Sequence, residues 1–502
     1  MAGLNCFLRH GYEDGMFDLR EALLEAAHEF PSNPYLRYQH ACVTFSEVGS
    51  ALAQIASQLP SLAGRRVIIL LPDDLSAALL HLECFSQGAT IVPLSPFSPA
   101  AHVQYVLDQV QAELVLTTPL LHRKFAGLMQ RAAVALVGSD HSIPLQMRGT
   151  LPLRHGGRQS SPVRAVFFTS GTTGRPKGVC LSASNLLSAA WINRTILGLE
   201  SSRRSLITVP LYDYYGLIQL YSHVMAKAAC TFGESGQFPK SAFDVIDSQA
   251  ITDIVLVPFT LKAVLDYAQN STRSEHRETW RRVAYVASSS DQLSPDLLRA
   301  AFTLSPGLTV VNVYGLTEAG RACYRVIRDG STPNTSIGGP SPTMKVWVDA
   351  PASQSGEIVI SGSTVMLGYL QEIVHDEIHF APVTEVRTAD EGYVGDDCEI
   401  HLLGRKDHLM SLHGVKLHPS EIELPVNQLS GVRDSLAQLR QDEQGNRTIV
   451  LDVVVDHGSV GQRQILDLLR ERVPRLFLPQ VINFVEAIPR TEIGGKLIRP
   501  RH

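Results

Sequence analysis

Three absences in this 502-residue chain each remove a class of protein. No stretch approaches the roughly 18 consecutive apolar residues of a membrane-spanning helix. The opening MAGLNCFLRHGYED places charges where a secretory signal needs an apolar core, so a cytoplasmic protein without membrane contact is expected. Charge of one sign is also lacking. Lys and Arg number 44 against 49 Asp and Glu, a formal net charge of −5 with no long run of either sign, which gives nucleic acid or anionic lipid no electrostatic footing. Cysteine is sparse. The seven residues Cys6, Cys42, Cys84, Cys180, Cys230, Cys323 and Cys398 are odd in number and show no CxxC or metal-type spacing, so they read as reduced thiols. There is no internal repeat and no low-complexity tail. A small molecule is the partner that this composition leaves open.

The length exceeds one ordinary hydrophobic core, so at least two domains are expected. Short apolar, β-rich runs at 67–71, 90–92, 114–116, 254–257 and 308–313 alternate with helical patterns such as 75–87 and 102–111. Continuous apolar runs of this length fit strands buried on both faces, and their alternation with helices implies βα units with largely parallel sheets over the first 400 residues. Stretches rich in Pro, Gly and Ser at 143–162 and 330–342 read as loops. After Gly404 the texture shifts to a strand-like SLAQLR, a polar turn QDEQGN, a strand TIVLDVVV and an amphipathic helix at 462–472. The division expected is therefore a large domain over 1–403 and a smaller α+β domain over 404–502.

Chemistry concentrates first in FFTSGTTGRPKG, residues 167–178, directly after an apolar run. Its three glycines allow backbone N–H groups to approach anionic oxygens, and its hydroxyls and Lys177 complete a cradle suited to polyphosphate. The P-loop pattern G-x-x-x-x-G-K-[ST] cannot be fitted to it. A second segment, VNVYGLTEAG at 311–320, sets Tyr314, Thr317 and Glu318 immediately after a strand, where parallel sheets meet their ligands.

The first of these strings resembles, almost letter for letter, the phosphate loop of the adenylate-forming superfamily of acyl-CoA synthetases, adenylation domains and luciferases, and further motifs of that family follow in order. The resemblance implies that Thr169, Ser170, Gly171, Thr172, Thr173, Gly174 and Lys177 bind ATP. It implies that Tyr314 stacks near adenine, Thr317 contacts phosphate and Glu318 holds Mg²⁺ against the triphosphate, a role for which carboxylate oxygen is a suitable hard ligand. The passage at 386–405 resembles the TGD…GR block, with Asp390 for the ribose hydroxyls and Arg405 for a further nucleotide contact; Ala389 stands at a family glycine. GEIVISGSTVMLGY, 356–369, resembles a structural β block and is assigned no chemistry. The segment 404–423 resembles the hinge block, in which Asp407 is the interdomain pivot and Gly414 lies on the approach of the thiol; Ser411 replaces a frequent lysine. In IPRTEIGGKLIR, Lys496 resembles the catalytic lysine of adenylation, although PRTEIGGK is one residue longer than the usual PRTxxGK.

The pocket motifs depart further from the family. VPLYDYYGLIQL, 209–220, resembles the wall of the acid-binding pocket, which places Tyr212, Asp213, Tyr214 and Gly216 there. Anchored on Gly216, Asp213 occupies the usual histidine or aromatic position. Shifted by one residue, Tyr212 and Asp213 resemble the Phe-Asp pair that binds a substrate ammonium in amino-acid-activating domains. Both registers stay open. A buried carboxylate beside a carboxylate substrate needs a cationic or hydrogen-donating partner, which an amine-bearing acid would supply. In VASSSDQLS, 286–294, Ser288, Ser289 and Ser290 line the slot: Ser289 and Ser290 take the place of glycines, with Asp291 at an alanine, which narrows it for a compact or polar acid. Ala183 stands where the family has a histidine.

The resemblance implies an α/β large domain of layered, mostly parallel sheets with a β subdomain, followed by a small mobile α+β domain. It also implies ATP-dependent conversion of a carboxylic acid to an acyl-adenylate, then transfer to the thiol of CoA or of a carrier protein's phosphopantetheine. The alternatives are a stand-alone amino-acid adenylation enzyme that loads a carrier protein and a non-catalytic nucleotide-binding homologue.

Overall fold

The computed structural model describes residues 18–39, 41–138, 144–151, 161–169, 176–232, 239–271, 274–291, 293–329, 336–351, 354–406, 410–412, 415–417, 419–441, 447–456, 460–473 and 475–490. Two large sheets organise residues up to 405. In the nine-stranded sheet, Val163–Thr169, Thr90–Pro93, Arg66–Leu70, Leu114–Thr117 and Ala133–Val137 run parallel to one another, and antiparallel strands flank them on both sides. In the thirteen-stranded sheet, neighbouring strands run parallel from Thr309–Leu316 across to Pro34–Tyr38. Its other half, from Gly320–Ile327 to Met344–Asp349, is antiparallel and forms the β subdomain.

The uniform apolarity of the inner strands has a geometric cause. Side chains of a strand alternate between faces, and here both faces are covered. Val67 and Ile69 join the central core, whereas Ile68 and Leu70 join an outer core with the helix Ala100–Val110. The helices Leu75–Ser86, Ala183–Leu197 and Tyr214–Ala226 lie in that central core between the two sheets and are buried almost all round, so they lack a strong amphipathic stripe. Outside the larger sheet, Leu206, Ile254, Val286 and Val310 pack with the helices Pro239–Ser248, Pro258–Asn270 and Pro295–Leu304. The result is a layered helix–sheet–helix–sheet–helix stack.

Two expected loops contain strands. Residues 143–162 include Leu145–Arg148, which pairs with the edge strand Ala133–Val137, and residues 330–342 include Ser336–Pro340, held by Gly320–Ile327 and Ile400–Arg405. In both, pairing to another strand, for Ser336–Pro340 including the distant Ile400–Arg405, decides the structure, which local turn composition does not report. The division after residue 403 falls inside the strand Ile400–Arg405, whose Gly404 and Arg405 pair with Glu391 and Asp390. Beyond it, Val432–Gln441, Arg447–Val455 and Val481–Phe484 form a separate three-stranded sheet. With the helices Pro419–Asn427 and Gln462–Arg472 it encloses a core around Ile422, Leu451, Ile465 and Phe477. No described helix is long and apolar enough to cross a membrane.

Candidate functional site

The glycine-rich string joins two antiparallel strands, Val163–Thr169 and Lys177–Ser182, and its ends Thr169 and Lys177 are register partners. Ser170, Gly171, Thr172, Thr173 and Gly174 lie outside the described residues, as do Asp407, Gly414 and Lys496. The anchors of the loop are nonetheless fixed. Thr169 donates its hydroxyl to Glu318 Oε1 at 3.3 Å, which brings the first loop residue to the segment 149 positions away. Lys177 Nζ sits 5.0 Å from the centroid of the Tyr369 ring.

Glu318 lies in the turn between Thr309–Leu316 and Gly320–Ile327. That turn is fastened from the β subdomain, since Met366 N–H donates to the Glu318 carbonyl at 2.9 Å and Thr364 Oγ1 to that of Ala319 at 2.6 Å. The ladder shifts register between Tyr314 and Gly315. A Cβ at Gly315 would stand 1.8 Å from the Gly320 carbonyl oxygen, so this tight return requires glycine. The Glu318 carboxylate also accepts from the Tyr369 hydroxyl at 3.1 Å. Tyr369 belongs to the block assigned no chemistry; it contacts both the candidate metal ligand and the candidate phosphate lysine. Its residue type gave no signal, because a tyrosine ending a β block is ordinary core or edge material. Thr317 is half-buried in the same turn.

On the neighbouring strands, Tyr314 donates its hydroxyl to Asp390 Oδ2 at 2.5 Å. Burial and then the adjacent Asp390 charge raise the Tyr314 pKa well above its ordinary value, so it stays a donor. Asp390 N–H donates to Thr388 Oγ1 at 3.0 Å, and Arg405 lies across the ladder with Nη1 3.8 Å from Asp390 Oδ1 and 3.2 Å from the Thr388 carbonyl. Ala389, at the family glycine position, has φ 59°, and Ser290 has φ 78°. Both keep a left-handed backbone while carrying a Cβ, at a cost of about 1–2 kcal/mol each.

The pocket segment enters the helix Tyr214–Ala226 through Asp213, its N-cap residue, whose carboxylate does not cap the helix and whose side chain is exposed. A Cβ on Gly216 would lie 2.0 Å from the Pro210 carbonyl oxygen, so the chain before the helix folds directly over its first turn. Tyr214 and Tyr215 are buried; Tyr214 meets Phe167 edge to face at 5.7 Å, and Tyr215 donates to the Ala287 carbonyl at 3.3 Å. Ser288, next to Ala287, is fully buried, and Ser289 nearly so. Tyr212 shares a hydrogen bond with Ser95.

Two further residues carry no signal in the sequence. Asp73, just before the helix Leu75–Ser86, accepts from Leu211 N–H at 3.0 Å. Burial pushes its carboxyl up to about 7, with Asp213 and Asp74 adding to the rise. In sequence the pair Asp73-Asp74 signals only a helix cap, and Asp74 is indeed that cap. Arg321 is 3% exposed, with its guanidinium 4.0 Å over the Tyr215 ring.

Among the described residues no group of three or more His, Cys, Asp or Glu forms a metal cage. The donor set around Glu318, one carboxylate with a hydroxyl at its side, suits Mg²⁺, which uses one or two carboxylates and fills its remaining positions with phosphate oxygens and water.

The chain belongs to the AMP-binding enzyme family, whose family model matches residues 23–370. It is thus a member of the adenylate-forming class, an AMP-forming acid–thiol ligase. The chain is similar to 4-coumarate--CoA ligase-like 9 of Oryza sativa subsp. japonica, at 25% identity over 91% of this chain and 86% of that protein. It is also similar to the sulfoacetate--CoA ligase of Cupriavidus necator, at 27% identity over 96% of this chain and 97% of that one. In fold it resembles ATP-bound MatB from Rhodopseudomonas palustris, with a TM-score of 0.78 and 21% identity, covering 95% of this chain and 97% of the other.

Proposed function

We propose that this enzyme activates a compact carboxylic acid with Mg²⁺-ATP and passes the acyl group to the thiol of CoA or of a carrier protein's phosphopantetheine. In the first half-reaction a carboxylate oxygen attacks the α-phosphorus, a P–O bond breaks, and pyrophosphate leaves with acyl-AMP remaining. In the second, the thiolate attacks the acyl carbonyl and AMP departs. The approach of two anions makes positioning and oriented cations the main catalytic needs.

The observation that supports this reading best is the joining of Thr169, Glu318 and Tyr369, with Lys177 over the same tyrosine. A polyphosphate held between the ends of the hairpin would therefore lie against the carboxylate that takes Mg²⁺. Asp390 and Arg405 would grip the ribose side of the nucleotide, and Tyr314, already bonded to Asp390, would border the adenine. Lys496 would supply the cation at the α-phosphate. Asp407 would act as the pivot that exchanges this lysine for the thiol entering past Gly414. The names of two relatives, both CoA ligases, favour CoA as acceptor.

The deciding experiment is ATP–pyrophosphate exchange with a pooled set of small acids, followed by single acids and then CoA. Exchange that requires both an acid and Mg²⁺ is expected. ATP binding without exchange for any acid would leave a nucleotide-binding homologue instead.

A further inference from the structure

A guanidinium is an expensive group to bury unless something of opposite charge meets it. Arg321 is 3% exposed, and its Nε and Nη2 have no hydrogen-bond partner among the described residues. Its described polar neighbours are two phenols rather than a carboxylate: its cation lies 4.0 Å over the Tyr215 ring, and Tyr214, the preceding residue of the same helix, is the other. The hydroxyl of Tyr214 is itself buried without a partner, and a Cβ on Gly320, the residue before Arg321, would be only 2.8 Å from it. Ser288, whose neighbour Ala287 takes the Tyr215 hydrogen bond, has a second buried hydroxyl without a partner among the described residues. Tyr214 and Ser288 belong to the two segments assigned to the acid pocket, and Arg321 stands three residues beyond Glu318 in sequence.

Resting on the acid-activating reading above, we propose that the acid carries a second anionic group, a carboxylate or sulfonate distal to the reacting carboxylate, which the Arg321 guanidinium binds with help from the Tyr214 hydroxyl. Guanidinium offers a planar pair of N–H donors matched to two oxygens of such a group. The charge it brings would make the Arg321 burial favourable only in the loaded enzyme, so selectivity arises from the donors left unpaired when a neutral acid binds. An acid whose tail is an ammonium would meet the same cation as a like charge.

The test compares acids of matched shape in ATP–pyrophosphate exchange. Succinate is set against 4-methylpentanoate, malonate against 3-methylbutanoate, 3-sulfopropionate against both series, and β-alanine serves as the amine-tailed probe. Wild-type enzyme should favour an anionic-tailed acid over its neutral counterpart by on the order of 10²-fold or more in kcat/KM. Comparing succinate with 3-sulfopropionate identifies which anion fits. Arg321→Met, which retains bulk, should raise KM for the dianionic acid and bring the ratio close to one while leaving the KM for Mg²⁺-ATP within about threefold. Preference for the neutral or amine-tailed acid by wild-type enzyme overturns the proposal without any variant, so poor folding of Arg321→Met cannot shield it. Calorimetric titration of the wild-type protein with the same acids distinguishes binding of the acid from its activation. Anionic-tailed acids that bind but support no exchange count against catalysis alone, whereas brisk exchange with neutral acids counts against the Arg321 role alone.

Discussion

The Tyr369 hydroxyl donates to Glu318 Oε1 at 3.1 Å while Lys177 Nζ stands 5.0 Å from the centre of the same ring. One side chain thus touches both the carboxylate expected to take Mg²⁺ and the lysine expected to take phosphate. Tyr369→Phe keeps the ring beneath Lys177 but releases Glu318. Loss of a hydrogen bond to a charged acceptor is worth about 1.5–3 kcal/mol, so kcat/KM for Mg²⁺-ATP should fall by roughly 10- to 100-fold. Glu318→Gln should fall further and demand more Mg²⁺. Unchanged kinetics for both variants across a Mg²⁺ titration would remove Glu318 from the metal site.

Gly216 is fixed by contact rather than by chemistry. Its added Cβ in Gly216→Ala would press on the Pro210 carbonyl oxygen at 2.0 Å and that of Val209 at 2.8 Å. Relieving that overlap should cost about 1–3 kcal/mol and displace Asp213 and Tyr214 together. Chemical denaturation should therefore show a lower midpoint, with exchange activity reduced mainly through the KM for the acid. A variant as stable as the wild type would contradict this packing.

Asp73 gives a pH dependence of defined sign. Its carboxyl is raised from the ordinary 3.8 to about 7, primarily by burial. Between those values the folded protein holds a proton that the unfolded chain has released, so this residue's contribution is complete below pH 3.8 and is lost as pH rises through about 7. Asp73→Asn still offers an oxygen to Leu211 N–H and removes the titration. Its stability relative to wild type should therefore improve between pH 5 and 8, by roughly 1–3 kcal/mol once the carboxyl's remaining contact with solvent is allowed for. Thermal unfolding at several pH values measures it. A stability difference that does not vary with pH would mean that Asp73 titrates normally.

Lys496 is assigned from its motif. Lys496→Ala should slow acyl-AMP formation by on the order of 10²-fold or more, as the loss of one oriented charge implies, and should leave thioester formation from supplied acyl-AMP largely intact. Measuring the half-reactions separately decides it. Equal losses in both would point to a general role in the small domain.

The amino-acid sequence by itself determined the class of chemistry and much of the architecture. Strands buried on both faces are written as unbroken apolar runs, so 67–71, 114–116 and 254–257 correspond closely to Arg66–Leu70, Leu114–Thr117 and Asp253–Leu256. The glycine-rich string and YGLTE carried the resemblance to the adenylate-forming family, to which the chain belongs. Tertiary structure alone decided which distant segments meet. Tyr369 approaches Glu318 because the strand Gly368–Val374 pairs with Lys177–Ser182 at the edge of one sheet, while Glu318 follows a strand of the other. Asp73 is shifted upward because packing buries its carboxyl, with Asp213, 140 positions away, adding to the rise while the Leu211 N–H opposes it. Arg321 reads in sequence as an ordinary charged residue of a strand. Only the packing of Gly320–Ile327 against the helix Tyr214–Ala226 places its guanidinium over Tyr215 and away from water, since burial and charge contact depend on separation in space, which residue order does not encode.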